Sequence, residues 1–246
     1  TEMNRIAEIA RKHGTVQTLV HHINVENLRE QHKQMKSGKA TGVERGTKEE
    51  YELNLEENLA NLVDKMKRQA YKPQEVRRIY IPKDGSKEKR GLGIPAYEDK
   101  LVQGVMAKIL TAIYEEKFVD VSYGFRPKKS CHDALKKLGR VIEKKKVNYI
   151  VDMDIKGFFD NVDHEWMIKF LENDIEDKNF IRIIKRFLKA GILEDGKHIE
   201  TDQGTPQGGV ISPILANVYL HYVLDLWFEK KIKKPRRKLR KKPRRK

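Results

Sequence analysis

The hydrophobic positions change period several times along the chain. Between Glu50 and Gln69 the residues Leu55, Leu59, Leu62, Val63 and Met66 recur at helical spacing among lysines and glutamates, which predicts an amphipathic helix. Residues 77–95, "RRIYIPKDGSKEKRGLGIP", switch to alternation around Asp84-Gly85, the pattern of a β-hairpin. A second helix is predicted to open at Asp99 and to bury Val102, Val105, Met106, Ile109, Leu110 and Ile113 beneath a sheet. Ser130 is placed to cap a third, running through Ala134, Leu135, Leu138, Val141 and Ile142.

A strand is expected over 148–155, helices over His164–Leu171 and Phe180–Leu188, and a hairpin turning at Asp195-Gly196. Ser212-Pro213 has the form of a helix start, a capping hydroxyl followed by proline at the first helical position. The apolar stretch 210–228 is broken by Pro213, Asn217, His221 and Asp225, so it reads as a buried helix and no membrane partner is expected. Helices mixed with short hairpins, without regular strand–helix alternation, predict an α+β fold.

Composition adds a charge asymmetry. The chain of 246 residues carries a formal charge of +16, but residues 230–246 hold 13 of the 52 Lys and Arg and no acid, leaving 39 bases against 36 acids before them. The tail repels itself and is expected to be disordered when free, able to bind any polyanion through its charge alone. A basic body must come from clustering rather than from the sum. The single cysteine, Cys131, excludes an intramolecular disulfide and a cysteine-rich zinc site, and no secretory signal pattern is seen; both favour an intracellular setting.

Three segments carry candidate chemistry. In "VDMDIKGFFDNVDH", 151–164, a strand would point Asp152 and Asp154 to one face, where a carboxylate pair either holds a hard divalent cation or serves as an edge decoration or salt-bridge partner. In "GTPQGGVISPILAN", 204–217, glycines and prolines around Gln207 make either a loop that approaches a ligand closely or a plain connection into a helix. The hairpin bearing Lys83, Lys87, Lys89 and Arg90 is either a basic finger for phosphates or a solvated turn.

"RRIYIPKDGSKEKRGLGIP", "SYGFRPKKSCHDAL", "DIKGFFDNVDH" and "GTPQGGVISPILANVYL" follow one another in the order and at the spacing of the reverse transcriptase domain of group II intron-encoded proteins, the intron maturases and their bacterial relatives. The chain resembles that family over roughly residues 24–230. The resemblance implies the fingers and partial palm of a right-hand polymerase, helices packed on a small antiparallel sheet, divided as an N-terminal helical extension (1–23), a fingers-like region (24–148), a partial palm (149–229) and the basic tail (230–246).

It implies that Asp154 is a catalytic carboxylate bridging two Mg²⁺ ions, with the Ile155 carbonyl as a further ligand and Asp152 as an accessory acid. Phe159 would lie beneath the incoming sugar and disfavour a 2′-hydroxyl; Gln207 and Gly208 would line the nucleotide pocket; Lys83 and Arg90 would grip the triphosphate. Lys87, Lys89 and Pro206 would meet RNA or template. Arg126 would either support the palm or template path or be a buried structural arginine. Implied partners are group II intron RNA, an RNA template with its DNA primer, and dNTP, with a homodimer also allowed and a bacterial cytoplasm or an organelle as the setting.

The sequence departs from the family in one respect that matters: no tyrosine-alanine-aspartate-aspartate turn follows the helix at Ser212, and Trp227-Phe228 passes directly into lysine and arginine. The expectation is an RNA-directed DNA polymerase in the parent protein, with this chain inactive alone. An RNA-binding module that assists intron splicing without polymerising is the alternative. A nucleotide-sugar transferase using Asp152 and Asp154 leaves the glycine loop and basic hairpin unexplained.

Overall fold

In the computed structural model the described residues are 1–82, 85, 87–205 and 208–233. Lys83, Asp84, Ser86, Pro206, Gln207 and the tail from 234 onward lie outside them. The helices α1 (Glu2–His13), α2 (Val25–Gln34), α3 (Lys48–Glu52), α4 (Leu55–Lys67), α5 (Tyr97–Tyr114), α6 (Cys131–Lys144), α7 (His164–Asp174), α8 (Lys178–Leu188) and α9 (Ser212–Leu220) accompany four strands. None of the helices in the described residues is long and apolar enough to cross a membrane.

Helix α5 is the centre of the core. Leu101, Val102, Met106, Ile109, Leu110 and Ile113 are fully buried, and so are the residues between them at Gln103, Gly104 and Val105. A helix apolar around most of its circumference must be covered on all sides. Its cover is α1, α2 and α9, not the sheet expected from the sequence, because one stripe could have met a sheet but this breadth of apolar surface needs several helices. Gly104 makes the crossing with α2 close: a Cβ there would collide with the Gln31 side chain.

The other helices begin where local chemistry dictates. Ser130 and Asp133 form a capping box at α6, and Thr47 with Glu50 does the same at α3. Asp163 caps α7. Asp177 caps α8 and its second oxygen also accepts from the backbone of Leu19 (2.6 Å) and Val20 (2.9 Å), so one carboxylate ties the N-terminal segment to α8. The helix expected from Glu50 to Gln69 is broken at Leu53-Asn54, where Leu53 points to solvent and α4 starts afresh. Ser212 is not the cap of α9 but its first helical residue, with Ile211 in the cap position and its N–H directed at Gln103 Oε1, 3.4 Å away. The buried helix expected over 210–228 is α-helical only to Leu220, then continues as π-helical turns.

Strands β1 (Val76–Pro82) and β2 (Lys89–Ile94) pair antiparallel as the basic hairpin, and β3 (Ile192–Glu194) and β4 (Lys197–Ile199) pair around Asp195-Gly196, both at positive φ. The sheet order is β2-β1-β3-β4. Its join is parallel, Val76 beside Ile192 and Arg77 beside Leu193, so the sheet is mixed and not the antiparallel one expected. The long helical excursion from α5 to α8 separates the two hairpins and lets β3 return in the direction of β1.

The strand expected over 148–155 is absent from the described structure. Tyr149, Ile150, Val151, Met153 and Ile155 are 52–88% exposed and no described strand pairs with them. A period-two pattern becomes a strand only when a neighbouring ladder satisfies its backbone.

The junction between the hairpin and α5 is held by polar contacts. Arg77 donates to the Thr41 carbonyl through both Nε and Nη2, Lys100 reaches the Ala40 carbonyl, and Glu44 accepts from the Tyr97 N–H at 2.7 Å. Gly42 lies against Ala96, where a Cβ would stand 2.6 Å from its Cα. Asp99, 3% exposed, accepts from the Tyr71 hydroxyl and from the Gln74 N–H at 2.9 Å, yet burial pushes its carboxyl up to about 7.

The neutral acid is therefore favoured in the fold, and its stability contribution is lost as pH rises through about 7. Urea unfolding from pH 5 to 8 is expected to show the wild-type chain losing roughly 1–3 kcal/mol more than Asp99→Asn over that range. Parallel profiles for the two proteins would contradict this reading of Asp99.

Candidate functional site

The glycine loop that opens at Gly204 is seated on two other segments. Gly204 N–H donates to the Val162 carbonyl and Thr205 N–H to the Phe159 carbonyl, both at 2.7 Å, and Asp163 bridges Gln203. Gly204 has φ +84°, and a Cβ on it would stand 2.8 Å from the Asp160 carbonyl oxygen. Buried His164, at the start of α7, sets its Nε2 2.6 Å from the Gly204 carbonyl oxygen; that nitrogen must carry the proton and donate. Beyond the loop's tip Gly208 has φ +111°, and a Cβ there would collide with the Gly93 carbonyl of β2. Backbone contact thus brings "RGLGIP", "GFFDNVDH" and "GTPQGG" together although over a hundred residues separate the first from the last.

Two clefts open where these segments meet. The first, about 270 Å³, is lined by Arg78, Tyr80, Lys89, Arg90, Gly91 and Asp160 among others. The second, about 290 Å³, is lined by Phe159, Asp202, Gln203, Gly204 and Thr205 and shares Arg78, Asp160 and Ile192 with the first. Arg78 sits 3.4 Å from Glu194, which also accepts from the Tyr80 hydroxyl and so raises the phenol above its ordinary value. Lys87, Lys89 and Arg90 are exposed. Arg78 and Lys89 share the strand face of Tyr80, whereas Arg90, paired with Ile81, belongs to the other face at the groove's edge; with Asp160 also in the lining, the groove suits an anionic ligand that also offers hydrogen-bond donors.

The two phenylalanines divide. Phe158 packs on the core beside Tyr219, with ring centroids 6.1 Å apart, whereas Phe159 is half-buried in the wall of the second cleft. Arg126 is 8% exposed; its guanidinium donates to both Glu115 oxygens (2.9 and 3.0 Å) and to the carbonyls of Val119 and Ser122, and lies 5.2 Å from the Phe118 ring centre. These donors are turned inward.

The acidic pair is not drawn into the clefts. Asp152 and Asp154 are exposed on the irregular run before Gly157, and neither lines the groove. Their carboxylates and the Ile155 carbonyl are oxygen donors of the right kind for Mg²⁺. They are too few: among the described residues no three His, Cys, Asp or Glu side chains gather as a metal site. Lys83, Pro206 and Gln207, expected at the same site, lie outside the described residues.

The groove also contains residues that the sequence reading passed over. Arg78 and Tyr80 share a strand face with period two, a signal available in "RRIYIP". Asp160 is the third acid of its block. His164 and Thr205 gave no sequence signal, since their roles exist only once the loop is seated.

The profile of the family described as "Reverse transcriptase (RNA-dependent DNA polymerase)" matches residues 81–236. The Group II intron-encoded protein LtrA of Lactococcus lactis subsp. cremoris is 47% identical over 175 residues, covering 70% of this chain and 29% of that protein. Protein YkfC of Escherichia coli (strain K12) is 33% identical over 208 residues, covering 82% of this chain and 54% of its own. The chain therefore spans under a third of the first relative's length and about half of the second's. Among solved structures, a chain of the "Partial Cas6-RT-Cas1--Cas2 complex" superposes with a TM-score of 0.55 at 20% identity, over 87% of this chain and 35% of that one, a likeness of fold. With the sequence blocks converging on one groove in an α+β fold, the chain belongs to the reverse transcriptase (RNA-dependent DNA polymerase) family, as a domain closely related to the group II intron-encoded maturases.

Proposed function

We propose that this chain supplies the fingers and part of the palm of an RNA-directed DNA polymerase from a group II intron-encoded protein. The observation that carries the reading is the convergence of the basic hairpin, the Phe159-Asp160 segment and the glycine loop around one cation-lined groove. In that assignment residues 1–23 form the helical extension, 24–148 the fingers-like region, 149–229 the partial palm and 230–246 a basic tail.

Each side chain then has a physical task. Arg90, with Lys83, balances the charge of a nucleoside triphosphate, and Lys87 and Lys89 follow an RNA backbone. Phe159, half-buried in the cleft wall, places a rigid ring where a deoxyribose fits more easily than a ribose. Gly208 keeps the loop's backbone close to β2, and Gln207 and Pro206 are assigned to nucleotide and template by the family resemblance. Arg126, bonded to Glu115, supports this framework and the template path from within.

Mg²⁺ is the ion the family implies for the complete protein, with Asp154 and the Ile155 carbonyl as candidate ligands. Among the described residues no further His, Cys, Asp or Glu joins them as a cluster. The partners are intron RNA, a template–primer and dNTP, in a bacterial cytoplasm or an organelle, with a homodimer as a further possibility. That shortage of metal ligands favours a second reading, an RNA-binding maturase module that aids splicing without synthesis.

Primer extension on an RNA template with Mg²⁺ is expected to give no product with this chain or with Asp154→Ala, while both bind structured RNA with equal affinity. Product from the chain, abolished in Asp154→Ala, would refute the expected inactivity. Lys89→Gln with Arg90→Gln should weaken RNA binding and reduce its salt slope by about 1 to 2; an unchanged slope would remove the hairpin from the interface.

Gly208→Ala is expected to cost about 1–3 kcal/mol, because the new Cβ combines positive φ with a backbone collision. Its thermal midpoint should fall and RNA affinity should fall with it. A wild-type midpoint would mean that the loop is not seated on β2.

A further inference from the structure

A separate cleft of about 610 Å³ lies between the segment 20–26, α4 and α8, and it shares no lining residue with the groove described above. Its walls are apolar: Val20, Ile23 and Val25 on one side, Val63 and Met66 from α4, and Ile183 from α8. Lys67, Arg182 and Arg186 add cationic ends, with Glu26 the one acid among the lining residues. Arg182 and Arg186 are one helical turn apart on α8, hence on one face.

The two arginines differ in what occupies them. Arg186 donates through Nη1 to the carbonyls of Gln69 and Tyr71, which anchors α8 to the end of α4. Arg182 donates through Nη2 to Asn179 at 2.9 Å, but its Nε is buried with no acceptor among the described residues. A buried donor left unsatisfied is destabilising, so a site that retains one gains when a small side-chain movement brings it an acceptor. A single acid excludes a multivalent metal site, and the cations at an apolar wall call for a ligand with both an anion and a flat organic body.

We propose that this cleft binds a nucleoside monophosphate group, the phosphate on Arg182 and Lys67 and the base against the walls formed by Val25, Val63, Met66 and Ile183. The choice of a nucleotide over another organic anion rests on the proposed RNA-binding function. Its source is either one unstacked residue of an RNA strand or a free mononucleotide, since bidentate recognition by a guanidinium reads the phosphate in both.

The test uses the full chain and 8-azidoadenosine 5′-monophosphate as a photolabel, free and as the terminal residue of a single-stranded RNA. Labelling is expected on peptides spanning 20–26, 63–67 or 179–186. Lys67→Gln with Arg182→Gln should lower it at least about tenfold with no fall in melting temperature, because the Arg182 bond that is lost is local to one helical turn and the unsatisfied Nε is removed with it. Labelling by the free nucleotide alone supports the site and identifies a mononucleotide as its source, labelling by the RNA-terminal probe alone supports it and identifies an RNA strand, and labelling by both supports a site that takes the nucleotide from either. Labelling confined to residues 76–94, labelling indifferent to the two substitutions, or protection by an acidic peptide but not by AMP would overturn it.

Lys89→Gln with Arg90→Gln serves as the independent arm. If it weakens RNA binding while the cleft variants change nothing, this inference fails and the proposed function stands. If it is silent while cleft labelling responds to Lys67→Gln and Arg182→Gln, the hairpin assignment fails and the nucleotide site stands.

Discussion

The groove depends on a place where no side chain fits. Gly208 lies against the Gly93 carbonyl at a backbone angle that favours glycine, and Gly204 lies against the Asp160 carbonyl in the same way, slightly less closely. Bare backbone on backbone is the shortest approach two segments can make, and it leaves no slack in the position of what lies between them. The loop is therefore held by the hairpin at one end and by the Phe159-Asp160 segment at the other. His164, buried and bonded to the Gly204 carbonyl, fixes the same loop to the start of α7. Remove the close approach and Arg90, Phe159 and the loop become three unrelated surface features.

The helical core gives that contact a fixed base. Helix α5 is covered by α1, α2 and α9, and from its buried face Gln103 reaches the N–H of Ile211 where α9 begins. Its N-terminal turn also receives the Glu44 contact and carries Asp99, whose carboxyl joins it to Tyr71 and Gln74. Hairpin and loop are thus both hung from the N-terminal half of one buried helix. Burying Asp99 at this junction has an electrostatic cost, visible in a carboxyl pushed up to about 7.

Charge and apolar surface are distributed unevenly around this frame. Leu135, Leu138 and Ile142 of α6 are 43–64% exposed, and the run from Tyr149 to Ile155 is more exposed still. Asp152 and Asp154 belong to that exposed run, which explains why the acidic pair and the cationic groove are not joined among the described residues. Extended backbone with alternating apolar residues gains order only by pairing, and within the described chain it has no partner.

Much was legible in the sequence because the relevant physics is local. The capping box at Ser130, the turn at Asp195-Gly196, the basic hairpin and the periodic stripes of α4, α7 and α8 depend on neighbours a few residues away. The ordered blocks identified the family for the same reason. Tertiary structure decided what needed a distant partner: that α5 meets helices, that β1 and β3 run parallel, that 148–155 forms no strand, and that Arg126 turns inward to Glu115. It also decided which residues share a groove, bringing Arg78 and Asp160 to it and leaving Asp154 outside, because a side chain's role there is set by the backbone approach at Gly204 and Gly208 and not by its own neighbours in sequence.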